Sequence, residues 1–175
     1  SNILKLNNLL IRQHKTDCLS LYSYMLHSKD SKAFVDPLRD VDVYTAFDKE
    51  LPGKTKYIFE THYHADYVSG FVDLSKKTGG QVVFGPDSNP SFPCLTAKHN
   101  QLLPFGDYQI RVLHTPGHTF ESSCYLLEKD GKHEAVFTGD TLFLGDVGRP
   151  DLAQTTTVTT KDMAKKLFDS LKILK

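Results

Sequence analysis

Apolar residues in this chain fall in short runs separated by polar turns, and the runs alternate with segments of helical period. Residues 19–26 and 33–35 predict two paired strands, with the polar stretch 28–32 as their turn. Residues 42–51 predict a short helix that stops before Pro52-Gly53. A strand is expected over 57–61, a helix over 68–78 closed by Gly79-Gly80, and a strand over 81–84 closed by Gly85-Pro86. Three further strands are expected over 109–113, 122–128 and 134–138. Thr159-Thr160-Lys161-Asp162 opens a last helix, in which Met163, Leu167, Leu171 and Leu174 form an apolar stripe suited to a core. Strands and helices alternating at these spacings indicate an α/β fold built in layers. There is no internal repeat, and Thr155-Thr156-Thr157 is the one low-complexity stretch.

Composition narrows the function classes. A chain of 175 residues suits a single domain over 1–175, with 39% hydrophobic and 11% aromatic residues as in ordinary globular proteins. Lysine and arginine number 21 and so do aspartate and glutamate, giving no net charge. That balance argues against a nucleic-acid partner, whose phosphates require a basic surface. The basic cluster Lys161, Lys165, Lys166, Lys172 and Lys175 reads as the solvated face of the last helix. Cys18, Cys94 and Cys124 are odd in number and lack C-x-x-C spacing, which favours a reducing compartment, cytoplasm or mitochondrial matrix. Cys18 and Cys124 lie in apolar surroundings and are expected in the core, whereas Cys94 reads as a loop thiol. No apolar run is long enough for a membrane-spanning helix, and the N-terminal residues lack a signal-peptide pattern.

The candidate chemistry sits at the ends of three strand-like runs. His62-Tyr63-His64-Ala65-Asp66 follows the run at 57–61. Side chains two apart on extended backbone share a face, so both imidazoles can approach one ion, with Asp66 close by. An isolated H-x-H can equally be a polar surface loop. The next clusters shift the balance. His114-Thr115-Pro116-Gly117-His118-Thr119 sets a histidine beside a Pro-Gly turn between two strand signals, and Thr138-Gly139-Asp140-Thr141-Leu142 ends another apolar run. His62, His118 and Asp140 thus form a set of two histidines and one carboxylate, a combination found at open iron sites.

These motifs resemble those of the metallo-β-lactamase fold superfamily. Its T-H-x-H-x-D-H motif stands here as Thr61 to Tyr67, its T-P-G-H-[ST] as Thr115 to Thr119, and its G-D-[TA]-L as Gly139 to Leu142. Val35-Asp36-Pro37 is similar to the family's strand-ending aspartate. The resemblance implies a four-layer αβ/βα sandwich with a metal at one edge, between the sheets. Residues 139–152 look like the persulfide dioxygenase branch, of the type often fused to rhodanese domains, and the stretch at 36–41 fits that branch too. Tyr67 departs from the pattern, standing where the dinuclear hydrolases have a histidine ligand for a second metal; a phenol with pKa of about 10 is a poor ligand at neutral pH. Family members also continue for several tens of residues past the position of Lys175, with a further P-G-H-type segment. The C-terminal part of the fold is therefore expected to be missing from this chain, and it reads as a truncated member.

Carried over residue by residue, the resemblance implies one Fe(II) per chain held by His62, His118 and Asp140. It makes His64 and Asp66 residues around the ligands, and it sets Arg149, with Asp151, beside the third ligand as an organiser of the site or as a structural ion pair. The implied reaction oxidises glutathione persulfide or a similar thiol persulfide with O₂ to sulfite. A rhodanese partner and a homodimer are compatible with it, and no nucleic acid or membrane is expected. Two other readings stay open: a zinc thioester hydrolase of glyoxalase II type, and a truncated metal-binding module without turnover.

Overall fold

Alternate residues of the central strands are apolar on both faces, so each sheet must be covered on both sides. The computed structural model describes residues 2–16, 21–153 and 155–175. β1 (Asn2–Leu6), β2 (Leu9–Lys15), β3 (Tyr22–Ser28) and β4 (Ser31–Val35) form an antiparallel meander. After α1 (Asp42–Glu50), β5 (Lys54–Phe59) pairs parallel to β4. After α2 (Phe71–Thr78), β6 (Gln81–Phe84) and β7 (Leu95–Thr96) extend a seven-stranded sheet in sequential order. β8 (Leu102–Phe105), β9 (Tyr108–His114), β10 (Ser123–Lys129) and β11 (Lys132–Phe137) make a second, antiparallel sheet. A small hairpin of β12 (Leu142–Phe143) and β13 (Asp146–Val147) precedes α3 (Thr160–Ile173).

Two cores follow from the strand period. Leu26, Ala33, Val35 and Phe59 point inward and meet Ile110, Val112, Tyr125 and Leu127 of the second sheet. Their neighbours Met25, Phe34 and Ile58 point the other way, onto Tyr44 and Phe47 of α1 and Leu74 of α2. On the far side of the second sheet, α3 buries Met163 and Leu167, and its Ser170 hydroxyl donates to the Pro116 carbonyl at 2.7 Å. The order helix, sheet, sheet, helix is the four-layer sandwich expected from the resemblance.

Helix ends obey local rules. Thr159 accepts from the Asp162 amide while the Asp162 carboxylate accepts from the Thr159 amide, the reciprocal cap foreseen from Thr-x-x-Asp. Gly79 closes α2 in the left-handed conformation with φ 76°. α2 begins at Phe71 rather than 68, and Val68 is exposed outside it. β1, β2, β7 and β8 were not foreseen. β1, β7 and β8 lie at sheet edges, where one-sided exposure weakens the apolar signal, and β2 is an inner strand whose second half, Arg12 to Lys15, is polar. The strand expected from 19 runs over Tyr22–Ser28; residues 17–20, Cys18 included, lie outside the described residues. Cys124 is buried and Cys94 half-buried just ahead of β7.

Phe34 is fully buried between the α1 face and the sheet, edge-on to Tyr44 and Phe47 with ring centroids 5.7 and 6.1 Å away. Phe34→Ala is expected to cost about 3–5 kcal/mol, read as a lower urea midpoint at unchanged slope. A loss below about 1 kcal/mol would contradict this packing.

Candidate metal centre

Strand β5 ends at Phe59, and the chain that follows crosses the gap between the two sheets. The Tyr125 hydroxyl of β10 donates to the Glu60 carbonyl at 2.6 Å, and the Ser123 amide donates to the Thr61 carbonyl at 2.8 Å. The Glu121 carboxylate accepts the Tyr63 amide at 2.9 Å. First-sheet residues that carry His62 and His64 are thereby tied to the segment that follows His118. Asp36, at the end of β4, completes the anchorage. It sits in the left-handed region with φ 50°, a conformation that aspartate tolerates better than most residues. Its carboxylate accepts the Thr61 amide and the Thr61 hydroxyl, each at 2.8 Å.

These bonds decide which nitrogen each imidazole presents. The Thr61 hydroxyl spends its proton on Asp36, so its oxygen is free to accept from Nδ1–H of His62, 3.0 Å away. Nδ1–H of His118 donates to the Arg149 carbonyl at 3.1 Å, since a carbonyl can only accept. Both rings then turn an Nε2 lone pair the same way. Asp140 Oδ2 lies 3.9 Å from Nε2 of His62 and 3.3 Å from Nε2 of His118, and the three ligand atoms lie within 4.8 Å of one another. Atoms bonded at about 2.1 Å to one ion stand roughly 3–3.4 Å apart, so the trio fits a small divalent cation after a slight contraction. Histidines whose other nitrogen is held by a backbone or side-chain acceptor are the usual metal-ligating kind.

Glycines shape the walls. A Cβ at Gly139 (φ 48°) would fall 2.4 Å from the Thr61 hydroxyl, and one at Gly148 would fall 1.8 Å from the Asp140 carbonyl oxygen. The loop that carries Gly148 and Arg149 can lie flat against both later ligands because those positions lack side-chain bulk.

A second cluster backs the first. Nε2 of His64 lies 3.1 Å from Asp36 and 3.8 Å from Glu60, both buried. The shorter contact lacks hydrogen-bond alignment, so the attraction is chiefly ionic. Burial would lower the pKa of His64, but the Asp36 carboxylate overcomes it and raises it to about 9. The reciprocal attraction lowers that of Asp36 against its own burial. Glu60, penalised by burial and by Asp36, is pushed well up, and the Ser69 hydroxyl donates to it at 2.7 Å. Burial, then the nearby His64 charge, drops His62 to about 3, which keeps its Nε2 unprotonated at neutral pH. Asp140 is raised by its partial burial.

Among the residues singled out from sequence, His62, His118 and Asp140 converge on one point. His64 is adjacent, its ring 4.1 Å from that of His62, but it is paired with Asp36 and Glu60. Asp66 is exposed, outside both clusters, on the wall of the adjoining cavity. The Arg149 guanidinium turns to Asp151 in a two-pronged pair at 2.8 and 2.5 Å, and its carbonyl is what meets His118. Tyr67 stacks on His64, with centroids 4.3 Å apart, and donates its hydroxyl to the Asp36 carbonyl at 3.3 Å. Burial, with Asp36 and Glu60 close by, pushes the phenol pKa far up, so it stays neutral. Glu60 and Glu121 were not singled out from sequence. A carboxylate at the end of the apolar run at 57–59, four residues before a histidine, was the available signal for Glu60; nothing local marked Glu121.

The shifts of His62 and His64 give metal-free protein a pH optimum. An unfolded histidine titrates near about 6.5. His64 binds its proton more tightly when folded, so its stabilisation is full below that pH and is lost as pH rises through about 9. His62 binds its proton more weakly when folded, so stability is lost as pH falls from about 6.5 towards about 3. Urea midpoints of chelator-treated protein should peak near about pH 6.5, and His64→Gln should flatten the alkaline limb. An unchanged alkaline limb in that variant would refute the assignment.

No family model matches the chain, but individual relatives do. A probable hydroxyacylglutathione hydrolase of Schizosaccharomyces pombe, glo2, is 35% identical over 133 residues, which cover 73% of this chain and 51% of that protein. The chain spans about half the length of the curated relatives it matches. A metallo-β-lactamase structure from Staphylococcus aureus superposes over 96% of this chain and 53% of its own, with TM-score 0.87 and 29% identity. The structure of ETHE1 from Myxococcus xanthus matches over 93% of this chain and 68% of its own, with TM-score 0.79 and 30% identity. With its four layers, its three motifs at the strand ends and these relatives, the chain belongs to the metallo-β-lactamase fold superfamily.

Proposed function

We propose that this protein is an iron-dependent persulfide dioxygenase, converting a small thiol persulfide, O₂ and water to the thiol and sulfite. The observation that carries the reading is the trio of two Nε2 lone pairs and one carboxylate, while the neighbouring Asp36, Glu60 and His64 are engaged with one another; Tyr67, which by the motif resemblance stands where a second ion would find a histidine, donates its hydroxyl to the Asp36 carbonyl. Two imidazoles and one carboxylate on one face of an ion leave the opposite positions open, the arrangement of non-haem Fe(II) oxygenases. Fe(II) bound there would supply the activation of O₂ and of the sulfur substrate. The chain supplies the rest. Thr61 and the Arg149 carbonyl hold the rings in the productive tautomer, Asp140 supplies the one negative charge, and the cavity beside Asp140 admits substrate. Residues 139–152, similar to the persulfide dioxygenase branch, support the same reading. In it, His64 and Asp66 flank the ligands and Arg149 positions His118.

The names of the sequence relatives favour a second reading, thioester hydrolysis at a zinc site, in which a metal-bound water of pKa near about 7 is the nucleophile. Metal content separates the two. Protein purified without oxygen should hold one iron per chain and take up O₂ when a thiol persulfide is added. Asp140→Ala should lose the iron and the uptake while keeping the thermal transition, because Asp140 is the only anionic member of the trio and is partly exposed. Stoichiometric iron and full uptake in that variant would show the wrong ligand set.

Zinc titration tests Tyr67. The unmutated chain should bind one zinc tightly. Tyr67→His offers a further imidazole beside Asp66 and His64 and should add a second, weaker site. Two tight zinc ions in the unmutated chain would instead promote the hydrolase.

A further inference from the structure

The two histidines of the trio are backed by acceptors of different kinds. Nδ1–H of His118 meets a neutral backbone carbonyl, that of Arg149, at 3.1 Å. Nδ1–H of His62 meets the Thr61 hydroxyl at 3.0 Å, and that hydroxyl donates onward to Asp36 Oδ2 at 2.8 Å. The whole chain of bonds is buried: Asp36 is 4% exposed, Thr61 and His62 2% each. Hydrogen bonds in series polarise one another, and they do so most where water is excluded. The relay is also fixed in place. Asp36 Oδ1 accepts the Thr61 amide at 2.8 Å, which pins the carboxylate to the residue whose hydroxyl it orients. Gly139, the residue before the third ligand, packs against the same hydroxyl, where a Cβ would come within 2.4 Å.

We infer that Asp36 and Thr61 are positioning residues that set the metal affinity of the trio, Asp36 acting on His62 through the Thr61 hydroxyl. The arrangement is a carboxylate–histidine–metal triad with one hydroxyl inserted between carboxylate and imidazole. This deepens the proposed function, resting on its metal trio but not on the reaction assigned to it. The relay does two things. It disfavours the tautomer with a hydrogen on Nε2, where the ion must bind. It also makes Nε2 of His62 a more basic donor, which a neutral carbonyl does less for His118. A direct attraction between the Asp36 charge and the ion would not need Thr61, so the hydroxyl is the place to cut.

Two measurements on the 175-residue chain test the relay. Imidazole nitrogen shifts in NMR spectra of metal-free protein read the tautomer. His62 should carry its hydrogen on Nδ1. Thr61→Val keeps the side-chain shape and the amide bond to Asp36, and it should move population to the Nε2–H form. Zinc affinity, measured by competition with a chromophoric chelator, should fall about 10–100-fold in Thr61→Val and recover in Thr61→Ser. Asp36→Asn should weaken zinc binding in the unmutated chain but add little in Thr61→Val, because the two residues act in series. Should Asp36→Asn fail to fold, the valine and serine variants at Thr61 decide alone. A hydrogen on Nε2 of His62 in the unmutated chain, unchanged zinc affinity in Thr61→Val, or an equal loss from Asp36→Asn in both backgrounds would overturn the inference. Oxygen uptake by iron-loaded protein on a thiol persulfide is read separately. The expected tautomer and zinc losses without uptake would sink the dioxygenase and keep the relay. Uptake by the unmutated chain with undiminished zinc affinity in Thr61→Val would sink the relay and keep the dioxygenase.

Discussion

The carboxylate of Asp36 is the constraint on which the site depends. It is buried at the end of β4 in a backbone conformation that costs free energy, and it is held there because three groups need it: the Thr61 amide, the Thr61 hydroxyl and the His64 cation. Without it the Thr61 hydroxyl would be free to donate elsewhere, Nδ1 of His62 would lose its fixed acceptor, and the lone pair on Nε2 would no longer be assured. One buried anion therefore sets the tautomer of a histidine it does not touch. It also pairs with His64 and keeps it charged, which adds to burial in holding His62 neutral.

The site lies between the sheets because only there can residues from distant parts of the chain be held on rigid backbone. His62 follows a strand of the first sheet, while His118 and Asp140 lie at ends of the second. The inner core beneath them, from Val35 and Phe59 to Val112 and Tyr125, fixes the distance between sheets as close packing does. Tyr125, Ser123 and Glu121 then stitch the first motif to the segment after His118 with hydrogen bonds, a more directional tie than packing. From the outside, α3 braces the Pro116-Gly117 turn through Ser170 and Leu167. The cavity beside Asp140 has apolar and acidic walls, while the paired Arg149 and Asp151 keep their charges to themselves.

The sequence by itself determined an α/β layering, the principal strands and helices, and which three side chains meet, while the four-layer order was implied by the resemblance of its motifs. Strand period two and helix period near four are local properties, and motifs at strand ends carry their side chains to a sheet edge wherever the sheet goes. The capping box at Thr159 and the stop at Gly79 are local for the same reason. Tertiary structure alone decided the rest. The edge strands β1, β7 and β8, and β2 beside the first of them, owe their existence to neighbours they pair with rather than to their own pattern. The charge on His64, the neutrality of His62, the partnership of Glu60 with Ser69 and the reach of Glu121 to Tyr63 depend on burial and on groups far along the chain. Electrostatic state is a property of the assembled surroundings, so a residue's type can be read from the sequence but its proton cannot.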